Sequence, residues 1–201
     1  MSDSPVQPAK VKKPRKVKEQ APPRSATWQV VEFILTIAVA FLVAQAVRTW
    51  VIQPYVVPTG SMLPTIQLHD QVLANKFIFN FRTPARPDIV VLDNPDHDPQ
   101  ADTLIKRVIG VGGQTLDLKD GKVYLDGKAL DEPYTYGQPT DPLMGSRQTF
   151  PVKIPVGYIW VMGDNRTQSQ DSRWFGPVKL SAIHGRAFFT YWPLSRFGTL
   201  K

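Results

Sequence analysis

Residues 28–50 form the longest apolar run of the chain, and the two charged members of this run, Glu32 and Arg48, lie towards its ends. A helix of 23 residues extends about 35 Å, which is enough to cross a hydrocarbon core of about 30 Å. Tryptophan occupies both end positions of the run, as is typical where a membrane helix enters the lipid headgroups. The pattern predicts a transmembrane helix over residues 28–50.

After residue 50 the pattern changes to short runs of β-branched and aromatic residues between turn signals. Such runs are typical of strands, and no stretch there keeps a helical period. The sequence therefore predicts a mainly β body. The predicted strands are 71–79, 88–92, 103–109, 115–119, 122–126, 157–162 and 185–191.

Two Asp-Gly dipeptides, at 120–121 and 126–127, separate alternating apolar and polar positions. Asp-Gly is a preferred sequence for a two-residue type I′ turn, so these dipeptides predict a small meander of hairpins. Residues 130–155 are rich in Pro, Gly, Asp and Thr, and this composition predicts a long connection or insertion rather than a core element.

Charge is concentrated before the apolar run. Residues 1–27 contain seven Lys or Arg against two Asp or Glu, which accounts for +5 of the net charge of +7. A basic tail can bind nucleic acid, but beside an apolar helix it is typical of the cytoplasmic flank of a membrane span. We therefore expect a cytoplasmic tail at 1–27, a transmembrane helix at 28–50 and an extracytoplasmic domain at 51–201.

An alternative interpretation of the same region is a cleavable secretory signal. The apolar segment 33–44 leads into Ala44-Gln45-Ala46, which resembles the small-residue site of signal cleavage. Both interpretations export the body and differ in whether it stays tethered. The chain has no cysteine, so its chemistry includes no disulfide, metal thiolate or cysteine nucleophile.

The stretch VVPTGSMLPTI, residues 56–66, sets Ser61 beside a glycine and between two prolines. A tight turn between strands would explain this composition, as would a rigid loop that presents a nucleophilic hydroxyl. A serine nucleophile needs a base, and the three histidines are weak candidates. His69 and His184 are expected to be structural or surface residues. His97 lies in an acidic, proline-rich stretch that is typical of a solvated loop. A metal site formed by Asp96, His97 and Asp98 is disfavoured, because adjacent ligands suit few metal geometries.

Lys106 offers a second kind of base. It lies in the predicted strand TLIKRVIG, where it shares one face with Leu104 and Val108 while Arg107 lies on the other face. One of the two cations is therefore expected against apolar neighbours, unless the strand is at an edge and both charged groups reach water. Burial would lower the pKa of the lysine and leave a neutral amine that can accept a proton.

A third stretch, GDNRTQSQDSR at residues 163–173, places small donors and paired charges directly behind an apolar run. A solvated loop would explain its polarity but not this mixture of groups. A hydrogen-bonded scaffold would explain it, with Asp171 and Arg173 able to pair and a serine hydroxyl able to orient a neighbouring amine.

These three stretches, in this order after an apolar helix, resemble bacterial type I signal peptidases, which are membrane-bound serine proteases. The resemblance implies that Ser61 is the nucleophile, that Lys106 is its base and that Ser169 orients the lysine. It further implies a supporting ion pair between Asp171 and Arg173. RPDIVV at 86–91 resembles a structural motif of that family.

Two positions depart from the family's pattern. Thr59 stands where many members have serine, and the threonine hydroxyl keeps the donor that helps to bind the oxyanion. Thr167 stands where many members have aspartate, which affects only a peripheral contact.

The resemblance implies a fold of antiparallel β-sheets, with a catalytic region and a smaller inserted region at about 114–155. It implies the removal of signal peptides after small residues and an inner-membrane location, with preprotein signal peptides and the lipid bilayer as partners and no nucleic acid, metal or cofactor. Alternatives are a self-cleaving repressor, disfavoured by the apolar helix, and a non-catalytic, membrane-anchored β-rich envelope or binding protein. By resemblance, the expected walls of the substrate pocket are Val57, Met62, Ile66, Leu104 and Ile105.

Overall fold

The computed structural model describes residues 25–96, 102–146 and 148–200. His97, Asp98 and most of the basic tail lie outside these residues. The chain forms two compact units, Met1–Leu42 and Val43–Lys201. Helix α1 (Ala26–Trp50) begins in the first unit and ends in the second. It buries none of its residues and is long and apolar enough to cross a membrane.

Twelve short strands lie in the described part of the second unit. They are β1 (Ile52–Val56), β2 (Gln71–Asn75), β3 (Ile89–Asp93), β4 (Thr103–Val111), β5 (Thr115–Lys119), β6 (Lys122–Leu125), β7 (Lys128–Ala129), β8 (Val152–Lys153), β9 (Tyr158–Met162), β10 (Val178–Lys179), β11 (Ile183–Trp192) and β12 (Gly198–Thr199). A four-residue helix, α2 (Ser172–Phe175), lies between β9 and β10. The 3₁₀ turns are Ile78–Asn80, Pro133–Thr135, Arg166–Gln168, Leu180–Ala182 and Leu194–Arg196.

The strands form two sheets in which every pairing is antiparallel. The main sheet has the order β1-β2-β11-β3-β4-β9-β10, with β12 paired to β11. The small sheet has the order β7-β6-β5-β8. The small sheet falls, in sequence, between β4 and β9, which are neighbours in the main sheet. The predicted antiparallel β fold with an inserted smaller β region is confirmed.

Local chemistry explains where the strand predictions hold and where they fail. Both Asp-Gly turns have positive φ at both residues, 50° and 69° at 120–121 and 50° and 79° at 126–127, as type I′ turns require. The prediction of a strand over 71–79 was too long. β2 ends at Asn75 because the Asn75 side-chain oxygen accepts hydrogen bonds from the amides of Phe77 and Ile78, which starts a 3₁₀ turn.

Strand β4 is the central element of the site, and its residues 106–110 are buried on both faces. It pairs with β3 through residues 103–107 and with β9 through residues 107–111. Val108 packs in one core cluster and Ile109 in another, which joins the main sheet to the small one. Strand β4 is therefore not an edge strand, and the alternative in which both charged groups reach water is wrong. At least one cation was expected against apolar neighbours, and both are buried. Lys106 is 2% exposed and Arg107 is fully buried.

Candidate active site

The loop that follows β1 fixes Ser61 through its apolar neighbours. Val57, Met62 and Ile66 are buried in one core cluster with residues of β2 and β3. The Val57 amide donates to the Asp70 carbonyl, and the Ile66 amide donates to the Met62 carbonyl. Because these anchors lie on both sides of Ser61, the serine is held at a defined position, where it is only 8% exposed.

Lys106 meets this serine from the central strand. Its Nζ lies 2.7 Å from Ser61 Oγ, a hydrogen-bond distance that serves either an ammonium donor or a hydroxyl donor to a neutral amine. The pKa of Lys106 is lowered from 10.5 to about 8, and the main cause is burial. The Asp171 charge opposes this shift, the Arg173 charge adds to it, and the Asp164 charge opposes it more weakly. Near pH 8, about half of the molecules therefore carry a neutral Lys106 amine.

Two of the remaining predicted residues form a tight pair. Arg173 donates from Nε and Nη2 to the two carboxylate oxygens of Asp171, both at 2.9 Å, and both side chains are buried. Asp171 also accepts from the Gly163 amide at 3.1 Å and from the Arg173 amide at the start of α2. The pair thus fixes the strand end that faces Ser61.

Thr59 and Ser169 lie near Ser61, with less direct contacts. Thr59 Oγ1 is 3.4 Å from Ser61 Oγ, at the outer limit of a hydrogen bond. Ser169 Oγ is buried and has no hydrogen-bond partner among the described residues. A Cβ built on Gly163 would overlap both the Ser169 side chain and the Ser61 carbonyl, so these two serines approach the same glycine.

Asn165 is a residue of the site that sequence reasoning did not single out. Its amide donates to the Ser61 carbonyl at 3.1 Å, and its side chain donates to the Gly60 carbonyl at 3.0 Å. The polar stretch at 163–173 (the late polar stretch) therefore contacts the backbone of the loop at 57–66 that carries Ser61 (the nucleophile loop) and holds it directly. The sequence signals this role of Asn165 only by its position within residues 163–173, because Asn165 and Gly60 are 105 residues apart.

Arg107 and Asp164 form a second buried pair that the sequence did not reveal. Arg107 donates from Nε and Nη2 to the two oxygens of Asp164, both at 2.7 Å. The Thr65 hydroxyl donates to the same carboxylate at 2.5 Å. A charged residue on a strand buried on both faces needs such a partner, so recognising β4 as a central strand would have predicted one.

The small β region supplies a third buried pair. Arg166 is fully buried and donates to both carboxylate oxygens of Glu132, at 2.9 and 2.6 Å, and to the hydroxyl of Thr140 at 2.5 Å. The ring of Tyr134 lies 4.0 Å from the Arg107 guanidinium carbon, and the Tyr134 hydroxyl donates to Glu132. Residues 132–140 thus cover the two arginines that flank the site.

A cavity opens beside Ser61. Its lining consists of Tyr55, Val56, Val57, Pro58, Thr59, Ser61, Met62, Thr103, Leu104 and Ile105. Four of the five predicted pocket residues are in this lining, whereas Ile66 is fully buried in the core with Val57 and Met62. The cavity lies between two partly unpaired backbone edges, because among the described residues β1 pairs only with β2 and residues 103–105 of β4 pair only with β3.

An antiparallel β protein with a serine hydroxyl against a buried amine, at the wall of an open cavity, has the arrangement of a serine hydrolase whose base is a lysine. Comparison with known proteins defines the group further. Residues 30–192 match the family described as signal peptidase, peptidase S26. The chain belongs to this family.

Two sequence relatives agree with this assignment. A probable signal peptidase I-2 of Synechocystis sp. is 37% identical over 187 residues, which cover 91% of this chain and 81% of the relative. Signal peptidase I of Bacillus caldolyticus is 35% identical over 79% of this chain and 90% of its own length. A solved signal peptidase I from Enterococcus faecalis V583 is 30% identical, with a TM-score of 0.44 over 52% of this chain and 97% of the other.

Proposed function

We propose that this protein is a membrane-anchored serine endopeptidase that removes signal peptides from exported preproteins. The observation that carries the proposal is the 2.7 Å contact between the buried Lys106 amine and the Ser61 hydroxyl, at the wall of a cavity, in a member of this peptidase family. A non-catalytic envelope or binding protein would have no use for a buried amine whose pKa is lowered to about 8.

In the proposed mechanism, the neutral amine of Lys106 accepts the proton of the Ser61 hydroxyl as Oγ attacks the scissile carbonyl carbon. The Ser61 amide and the Thr59 hydroxyl bind the oxyanion, and one such donor is typically worth about 3–4 kcal/mol. The Lys106 ammonium then gives its proton to the leaving nitrogen, and the acyl-enzyme remains. Water then attacks this ester while Lys106 accepts its proton, the bond between the acyl carbon and Ser61 Oγ breaks, and the Lys106 ammonium returns the proton to Oγ, which restores both groups.

The supporting roles are assigned to the late polar stretch. Ser169 orients the Lys106 amine, for which its buried hydroxyl is available, since it has no hydrogen-bond partner in the part of the chain that the structure describes. Asp171, paired with Arg173, accepts a hydrogen bond from the Gly163 amide and so fixes the position of Gly163. Ser61 and Ser169 both lie against this glycine, so the pair also sets where these two serines lie. These residues act on the position of the reacting groups, so their loss should lower kcat more than it raises KM.

The substrate is proposed to bind as an extended strand between β1 and residues 103–105, where both backbones have an edge that no described strand pairs with. Side chains at the first and third residues before the cut would point to the same side of such a strand. Val57, Met62, Leu104 and Ile105 would contact them, and Ile66 would support Val57 and Met62 from the core. Apolar walls close to Ser61 leave room for small side chains, as at A-x-A-like sites.

The proposed location is the bacterial inner membrane, with α1 as the single span. Residues 1–27 would be the cytoplasmic tail and 51–201 the extracytoplasmic peptidase domain, of which about 114–155 is the inserted region. The apolar length of α1 and the basic sequence before it support this orientation. Protease added outside sealed spheroplasts should digest the domain and spare the tail. A separate measurement, the intact mass of the membrane-extracted protein, shows whether the chain has been cut after Ala46.

The deciding experiment compares wild type with Ser61→Ala in a preprotein-cleavage assay, together with covalent labelling by a serine-directed inhibitor. Wild type should cleave and be labelled at Ser61, whereas Ser61→Ala should do neither. Labelling elsewhere, or cleavage that survives Ser61→Ala in a purified sample, would contradict the assignment. A folded wild type that neither cleaves nor reacts would favour the binding-protein alternative.

A further inference from the structure

A chain of three polar side chains leads from the cavity to the protein surface. Tyr55 lines the cavity, and its hydroxyl oxygen lies 3.4 Å from His184 Nδ1, at the outer limit of a hydrogen bond. His184 Nε2 lies 2.5 Å from a carboxylate oxygen of Asp93. The three residues belong to β1, β11 and β3, so the contacts connect the edge strand of the cavity to two inner strands.

The direction of the hydrogen bonds follows from what each group can offer. A carboxylate only accepts, so His184 donates from Nε2, and the Nδ1 of a neutral imidazole is then the acceptor. Burial raises the pKa of Tyr55, and the nearby Asp93 charge raises it further, so the phenol keeps its proton. When the imidazole is neutral, Tyr55 donates to Nδ1, and Asp93 fixes the tautomer that can receive this hydrogen bond.

These contacts bear on the cavity rather than on the stability of the fold. The side chains of His184 and Asp93 are 32% and 59% exposed, and a hydrogen bond between such exposed groups contributes little to the free energy of folding. The Tyr55 ring, in contrast, is half-buried and packs against the core cluster that contains Val57 and Met62. A phenol tethered at its hydroxyl has one ring position, whereas a free one can turn towards the cavity or out of it.

We infer that His184 and Asp93 are positioning residues of the substrate cavity, which hold the Tyr55 ring in place and thereby set the size of side chain that the cavity accepts. The inference rests on the proposed peptidase function. Tyr55 precedes Ser61 by six positions along a segment that would run beside the substrate. Its ring would therefore meet the third residue before the cut rather than the first.

The test uses the full-length chain in detergent and preproteins with Ala, Val or Leu at the third position before the cut. The measured quantity is the ratio of kcat/KM for Ala to kcat/KM for Leu. One hydrogen bond is worth about a two- to tenfold change, so Tyr55→Phe and His184→Ala should each lower this ratio by about that factor, mainly through the KM of the Leu substrate. His184→Asn, which keeps an acceptor near the Nδ1 position, should restore part of the ratio.

Coupling between the two residues separates positioning from a general loss of structure. The double variant Tyr55→Phe with His184→Ala should be no less selective than either single variant, because both remove the same hydrogen bond. Tyr136→Phe, at an exposed tyrosine of the small β region, is the matched control and should leave the ratio unchanged. Additive effects, or a His184→Ala variant with wild-type selectivity, would overturn the inference.

A binding measurement distinguishes this inference from the proposed function. In a Ser61→Ala background, calorimetry with uncleaved Ala and Leu peptides reports selectivity as a ratio of Kd values. If wild type fails to cleave preproteins but the Kd ratio responds to His184→Ala, the function is wrong and the positioning role stands. If cleavage depends on Ser61 and the Kd ratio does not respond, the function stands and the positioning role is wrong.

Discussion

Gly163 lies so close to Ser61 that a side-chain carbon at position 163 would overlap the Ser61 carbonyl oxygen. The backbone at 163 also donates to Asp171 and accepts from the Arg166 side chain. The end of β9 and the nucleophile loop are therefore in direct backbone contact, and the distance between them depends on the absence of a Cβ.

Gly163→Ala should push the nucleophile loop away from Lys106. Because the overlapped atom is buried backbone that has no free rotation, we expect a loss of about 1–3 kcal/mol of folding free energy and a severe loss of kcat. Gly198→Ala is the matched control, since a Cβ there meets no atom within 4 Å. Thermal unfolding and preprotein cleavage measure the two effects, and a Gly163→Ala protein with normal kcat would show that the close approach has no catalytic consequence.

Lys106→Ala should remove the base. General-base catalysis typically contributes about 10²- to 10⁴-fold, so kcat should fall by at least this factor while the protein remains folded. His69→Asn is a suitable control because His69 is exposed and has a positive φ of 64°, which asparagine tolerates. If the His69 variant were inactive and Lys106→Ala active, a Ser-His mechanism would replace the one proposed.

The rate of cleavage should rise with pH as Lys106 loses its proton. The pKa of about 8 predicts that kcat/KM increases roughly tenfold per pH unit below pH 8 and levels off above it. A pH profile of single-turnover cleavage measures this, and Lys106→Arg, which stays charged, should be inactive at every pH. A profile that is flat between pH 6 and pH 9 would be incompatible with Lys106 as the base.

Burial of Lys106 should also make folding stability depend on pH. Its pKa is about 8 in the folded state and 10.5 in the unfolded state, so between these values the unfolded chain binds more protons. Stability therefore rises with pH through this window, by about 3 kcal/mol, and the full penalty is present below about pH 8. Lys106→Met should be more stable than wild type at pH 7 and lose this part of the pH dependence in urea unfolding.

Glu132→Ala should destabilise the protein by leaving the Arg166 guanidinium buried without its carboxylate partner. Breaking a buried pair by removing one partner typically costs about 3–5 kcal/mol. The control is Asp117→Ala, which breaks a pair whose lysine, Lys119, is largely exposed and should change the free energy of unfolding little. Equal effects of the two substitutions would mean that Arg166 finds water or another acceptor once Glu132 is absent.

The sequence predicted the parts of this protein whose signals are local. The apolar helix, the antiparallel β class and the two Asp-Gly turns are confirmed, because length, alternation and turn chemistry each depend on consecutive residues. The catalytic roles of Ser61 and Lys106 remain predictions, although the structure brings the two side chains together.

The parts that the sequence did not reveal depend on partners far away along the chain. Arg107 and Asp164 are 57 residues apart, and Glu132 and Arg166 are 34 residues apart. No local pattern states that both cations of β4 are buried, because this follows from the position of β4 inside the sheet. Asn165 was missed for the same reason, since its role is to hold a loop that precedes it by more than a hundred residues.

The contact between Glu132 and Arg166 limits how the enzyme can be shortened. The chain leaves the main sheet after β4 and returns at β9, so the small region resembles a part that could be cut out and replaced by a short loop. Such a deletion would remove the Glu132 carboxylate that pairs with Arg166 and the Tyr134 ring that packs on Arg107. A minimal version of this peptidase would therefore need an apolar residue at 166 and a new cover over Arg107, designed together with the loop.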